Sequence, residues 1–436
     1  MRTNRDASAA PPRAYRWRRG PCALLALLVL VALTAGGCRF VRLGSDLEAL
    51  SRFGVLSGTA TVPDWQGDPI LVAVATRGRD WNAPLVVVAH VTLSEPGYFE
   101  FTLPPGEYYL GAVEDRDAGL DVDPDERFVL HASPYRLDAE DWIPGIELTL
   151  EEPSSANPQH IQLREGRSFV AGELSSLDHP RFARAEATIG LWRPLHALQR
   201  HAVGLFVLEP IDPARTPVVF VHGMGGTARD LAGLIEQLDR ERFQPWVFQY
   251  PSALPLDAIA QGLTRALHEV HGRVGFSRVC LVAHSMGGLV SRKAIDSLVG
   301  RGVPVRGFVS IASPFGGVAS AAMGVEVAPA VVPSWRDVDP GSAFLEGLYA
   351  RPLPDAIPYF LLFAFQPRES SDGVVEIASQ LRLEAQLEAE RVRGFPATHI
   401  SVLADARVAR PVFELLGRCH GAPDGERVAE ADSARR

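Results

Sequence analysis

The chain has 436 residues in an ordinary globular balance of apolar and charged side chains, enough for about two or three domains. Its formal net charge is −9, and residues 1–37 hold six arginines against one aspartate, so the remainder carries −14. That acidity argues against nucleic acid as a partner and against purely electrostatic adhesion to anionic lipid.

Residues 1–37 read as a targeting segment. Arg13, Arg16, Arg18 and Arg19 precede the apolar run CALLALLVLVAL (22–33), which is short for a membrane span. TAGGC follows, with small residues leading to Cys38. This resembles the lipobox of bacterial lipoproteins, with Ala35 at the place usually held by leucine. The resemblance implies removal of residues 1–37, a lipid on Cys38 and an exported, membrane-anchored protein. Arg39, unlike an aspartate at that place, points to the outer membrane. A plain secretory signal with an incidental Cys38 is the alternative. Two cysteines then remain. Cys280 lies in an apolar run and is expected as a buried free thiol, a disulfide to Cys419 being the second choice.

Residues 45–152 alternate in the manner of strands, with runs at 54–62, 70–76, 84–93, 98–103, 107–113, 127–132 and 146–150 between Gly, Pro and Asp clusters. The pattern predicts a small all-β sandwich. GYFEFTLPPGEYYLGAVEDRDAG resembles the transthyretin-like or carboxypeptidase-regulatory sandwich. Within it, Asp115, Asp117, Asp121, Asp123 and Glu126 alternate like calcium ligands. Gly119 and Leu120 break the loop pattern, however, and a solvated acidic turn is the preferred reading.

Residues 153–202 contain EEPSSANPQ and read as a linker. From 203 to 418 strands alternate with helices. Strands are expected at 216–223, 244–251, 278–285, 305–314 and 359–365, with helices after 227, over 256–273 and over 286–299. Continuous apolar strands between amphipathic helices predict a mainly parallel sheet covered on both faces. An apolar insertion over 316–357 sits where a lid could form, although helices packed on the sheet are an equal expectation. Residues 419–436 read as a disordered tail.

The stretch VCLVAHSMGGLV (279–290) carries the chemistry. A strand ends at Ser285, and Gly287 and Gly288 provide the room that a sharp strand-to-helix bend needs. Ala283 replaces the first glycine of G-x-S-x-G, a change that weakens the motif without breaking it. A serine hydroxyl needs a base and oxyanion donors to act as a nucleophile. The Met286 amide at the helix start is one candidate donor. The Met224 amide in FVHGMGG (220–226) is the second, with His222 ordering that loop. Downstream histidines are His399 and His420. His399 falls in a loop between a strand-like run and a helix, whereas His420 lies beyond the last helix and is discounted. Asp372, in a glycine-containing turn seven residues after a strand, is the expected acid, with Glu369 and Asp405 as fallbacks.

FVHGMGG, AHSMGGLVSR, SPFGG, SSDGVV and THISVL, in that order over about 203–418, resemble the lipase and esterase branch of the α/β-hydrolases. The resemblance implies a triad of Ser285, Asp372 and His399 with an oxyanion hole from the Met224 and Met286 amides. It also implies carboxylic ester hydrolysis, with lipid or acyl esters preferred because of the apolar insertion, and no cofactor or metal. An acyltransferase or thioesterase using the same triad, and a non-catalytic surface-binding lipoprotein, are the rival readings.

Overall fold

The computed structural model describes residues 39–77, 85–93, 95–116, 126–150, 169–200 and 203–421. The targeting segment, Cys38, the interior of the acidic turn, residues 153–168 of the expected linker and the tail from 422 lie outside them.

Helix α1 occupies residues 39–51. The N-terminal β region follows, with β1 (Gly54–Thr61), β2 (Ile70–Arg77), β3 (Leu85–Leu93), β4 (Gly97–Leu103), β5 (Gly106–Glu114), β6 (Phe128–Leu130), β7 (Tyr135–Leu137) and β8 (Trp142–Thr149). These form one sheet ordered β4-β1-β8 and a second ordered β3-β2-β5-β6, with β7 also pairing β5. Alternate side chains of both sheets meet in one core, among them Leu56, Phe99, Phe101 and Leu148 from the first and Val72, Val74 and Leu110 from the second. The expected sandwich is what the chain forms.

The C-terminal domain is built on an eight-stranded sheet. Its strands are β9 (Phe169–Leu174), β10 (Val203–Val207), β11 (Thr216–Val221), β12 (Phe243–Gln249), β13 (Val279–His284), β14 (Val305–Ile311), β15 (Tyr359–Phe365) and β16 (Arg391–Pro396). The order is β16-β15-β14-β13-β11-β12-β10-β9, parallel throughout except between β10 and β12. Every residue of β11, β12 and β13 is buried, as expected of strands covered on both faces. The period-two alternation divides them: Leu281 and Ala283 pack with one layer, Cys280 and Val282 with the other. Helices α5 (Leu256–Val274) and α6 (Met286–Gly300) make the first layer, and α4 (Ala232–Glu236) and α12 (Ala406–Gly421) belong to the second. The chain leaves β11 for β12 on one side and returns to β13 on the other. That reversal opens a crevice at the carboxyl ends of β11 and β13, where α/β sheets bind ligands.

Three expectations need correction. Residues 169–200 are not linker. Strand β9 pairs with β10, and α2 (Arg184–Trp192) and α3 (Pro194–Arg200) pack on the domain, so it begins before 203. A six-residue edge strand with Gly172 at φ 82° shows no run long enough to be recognised. Cys280 is not a free thiol but is bonded to Cys419, their Cα atoms 6.7 Å apart. Strand alternation turns Cys280 toward α12, a relation invisible across 139 residues of sequence. The ordered chain also runs through Gly421, three residues into the expected tail. The insertion divides. Of α7 (Ala319–Val327) only Ala321 is buried, whereas α8 (Pro333–Asp337) and α9 (Ala343–Gly347) lead Phe344, Leu345 and Leu348 into the core. Among the described residues no helix is long and apolar enough to cross a membrane.

Candidate active site

Ser285 lies at the turn between β13 and α6 with φ 54° and ψ −130°, a backbone conformation that L residues rarely adopt. The bend is fixed from both sides: the Ser285 amide donates to the Ile311 carbonyl at 2.8 Å, and the Gly288 amide donates to the Ser285 carbonyl at 2.9 Å. The neighbouring glycines are sterically required. A Cβ on Gly287 would come within 2.5 Å of the Val221 and His222 carbonyl oxygens, and one on Gly288 within 2.0 Å of Ser313 Oγ. Ala283, fully buried, fits where the pattern wants glycine.

Asp372 and His399 reach the same point from the ends of β15 and β16. His399 Nε2 stands 2.9 Å from Ser285 Oγ, and its Nδ1 stands 2.6 Å from Asp372 Oδ2. The His399 amide also donates to the Asp372 carbonyl at 3.0 Å, so backbone and side chain fix the pair together. Asp372 Oδ1 accepts from the Val374 and Val375 amides at 2.9 and 2.7 Å, and Oδ2 accepts from Gln380 Nε2 at 3.3 Å. Burial pushes the Asp372 carboxyl up. The His399 hydrogen bond and charge and the two amides outweigh it, and the group lies below its ordinary value. An ionised Asp372 takes the Nδ1 proton as its partner, which leaves Nε2 free to accept from the serine hydroxyl. All three side chains are nearly closed off, Ser285 being 8 % and His399 6 % exposed.

The loop in which the sequence places the second oxyanion donor follows β11. Gly223 abuts Ser285, since a Cβ there would lie 2.8 Å from Ser285 Cβ. Met224 follows and packs on the core, and Met286 is the first residue of α6, where amides have no acceptor within the helix. His222 is buried and stacks on Tyr250 with ring centroids 4.1 Å apart. Its Nδ1 donates to the Gly223 carbonyl at 2.9 Å, and its own carbonyl accepts from the Tyr250 hydroxyl at 2.5 Å. Burial lowers it to about 4, so it is a neutral strut in the loop.

Residues 218–432 match the family model described as the alpha/beta hydrolase family. The C-terminal domain has the alpha/beta-hydrolase fold. The hydrolase domain has solved structural relatives of low identity. The Bacillus licheniformis lipase BlEst2 in mature form has a TM-score of 0.38 and 19% identity, over 49% of this chain and 97% of that one. The lin2722 gene product of Listeria innocua has 0.38 and 17%, over 49% and 96%. The phospholipase PlaB of Legionella pneumophila has 0.34 and 20%, over 38% and 46%. No curated protein matches the chain in sequence.

Two residues of the hydrolase site escaped the sequence reading. His284 Nε2 donates to the His399 carbonyl at 2.9 Å, and burial together with the His399 charge holds it down at about 3. It braces the backbone of His399 as an uncharged ring. Its only signal was its place beside Ser285. Gln380, on α10 (Ile377–Gln380), bonds both the amide and the carbonyl of Ala364 in β15 as well as Asp372. Nothing in its sequence context marked it. The fallback acids do not meet His399: Glu369 is exposed and Asp405 is paired to Arg407. His420 bonds Thr216 at the start of β11, the opposite edge of the sheet. Among the described residues no cluster of three or more candidate ligands suits a metal ion.

Proposed function

We propose that this chain is an exported, membrane-anchored serine hydrolase that cleaves carboxylic esters, with lipid or acyl esters as its substrates. The observation carrying this reading is the relay from Asp372 through His399 to Ser285 at the reversal point of the sheet. Ser285 Oγ attacks the ester carbonyl while His399 Nε2 takes its proton and later returns it to the leaving alcohol. Asp372 holds the imidazole's tautomer and offsets its charge. The Met224 and Met286 amides face the developing oxyanion, and water releases the acyl group from Ser285 in a second, equivalent step. The Cys280–Cys419 bond supports export, because such bonds persist in oxidising compartments.

The test is labelling of the wild-type chain and Ser285→Ala with a fluorophosphonate, followed by p-nitrophenyl esters of increasing chain length. A covalent adduct and turnover in the wild type alone are expected. A wild type that neither labels nor turns over any ester rejects the assignment.

A further inference from the structure

The 38 residues before α1 contain the apolar run 22–33 and end at Cys38, so any lipid anchor joins the fold at the first turn of α1. That turn is not free. Phe40 packs edge-on against Trp192 with centroids 5.2 Å apart, and Trp192 in turn against Trp335 of α8 at 5.9 Å. Trp335 closes on α7, where a Cβ on Gly324 would lie 2.9 Å from its ring. Leu43, fully buried, packs with Ala253 and Val332, and Asp46 holds Arg193 at 3.2 Å and the His196 amide at 3.3 Å. The same layer reaches the reactive serine. Leu191 of α2 joins the Leu43 cluster and lies 3.8 Å from a Cβ position on Gly225, two residues from the Gly223 that abuts Ser285.

Large apolar side chains stand exposed on both helices of this assembly, with the charged Arg42 and Glu326 beside them. Val41 on α1 is 74% exposed, and Met323 and Val327 on α7 are 66% and 70% exposed. Their occupant is fixed by the anchor. A tether attached beside a patch raises its local concentration to about the millimolar range, enough for a few apolar side chains to insert at a lipid boundary. With an acidic chain, apolar contact and not charge has to supply that attachment.

We infer that α1 is a docking element that locks the anchor beside α7, so that Val41, Met323 and Val327 rest on the lipid surface and the crevice at Ser285 receives esters resident in the membrane. This rests on the anchored reading above and adds a face and an orientation to it.

Two measurements test it on the full-length chain in phosphatidylcholine–phosphatidylglycerol vesicles. In the first, an environment-sensitive fluorophore is placed through Val327→Cys, or through Glu241→Cys at the opposite edge of the sheet, and quenched by doxyl-labelled lipid. Quenching at 327 should exceed that at 241 by about threefold or more, as a patch held against the boundary requires. Equal quenching, or a wild type that does not partition with the vesicles, overturns the inference. In the second, Met323→Asp combined with Val327→Asp should lower hydrolysis of a vesicle-borne long-chain ester about tenfold, leaving a soluble short-chain ester within about twofold. Loss of both to the same extent, or of neither, overturns it. A wild type that fails the fluorophosphonate assay removes the hydrolase reading alone, because the quenching comparison still decides the surface.

Discussion

Ser285 occupies a conformation that costs on the order of 1–3 kcal/mol for a residue with a Cβ. The cost is held in place by Ile311, by the glycines that leave no room for relaxation, and by β13 itself. Ser285→Ala and Ser285→Gly both remove the hydroxyl and its bond to His399, so their difference isolates the backbone. At an ordinary site glycine is the less stable of the two, through its freer unfolded chain. Here Ser285→Gly should be the more stable by about 1 kcal/mol in urea unfolding. A Gly variant weaker than the Ala variant would show that the turn is relaxed.

At the level of elements, the disulfide ties β13 to α12 across the second layer of the sheet. Closing so long a loop restricts the unfolded chain, so Cys280→Ala with Cys419→Ala should lower stability by about 3–5 kcal/mol. Denaturant midpoints with and without reductant check this: wild type under reduction should approach the double variant, and coincident curves for oxidised wild type and the double variant would contradict it. Legibility differed along the same elements. Strands β11 and β13, with α6 after them, announced themselves through apolar runs broken by glycine, and the positions of Ser285, Asp372 and His399 followed from order along the chain. Short or tertiary-dependent features stayed hidden. The stretch from 228 carries a helical pattern to 243, yet yields only a 3-10 turn and the five residues of α4. Edge strand β9, helix α1 with its partners Trp192 and Trp335, the brace at His284 and the Gln380 amide all take their meaning from neighbours more than a hundred, or at least several, residues away. Periodicity cannot report such contacts.

Taken whole, the molecule joins its two domains along α5 and the β3–β4 edge. There a cavity of about 490 Å³, away from Ser285, is lined by Glu95, Tyr98, Arg265, His268, Glu269 and Arg301 among others. Burial raises Glu269 to about 7, against the pull of Arg273, Arg265 and the Thr92 amide. Its folded value thus exceeds its unfolded value of 4.5, so its contribution is fully present below pH 4.5 and is lost as pH rises through 7. Glu269→Gln should therefore be more stable than wild type at pH 8.5 by about 1–2 kcal/mol, with the advantage gone at pH 4.5. Thermal melts at the two values check it, and a pH-independent difference would count against a buried carboxyl at this seam. The Cys280–Cys419 bridge has a consequence at this scale too, because Ser285, Asp372 and His399 all fall between its ends, as does exposed α7. A protease that nicks α7 would cut the backbone between the serine and its two partners, yet the fragments would stay covalently joined until the bridge is reduced.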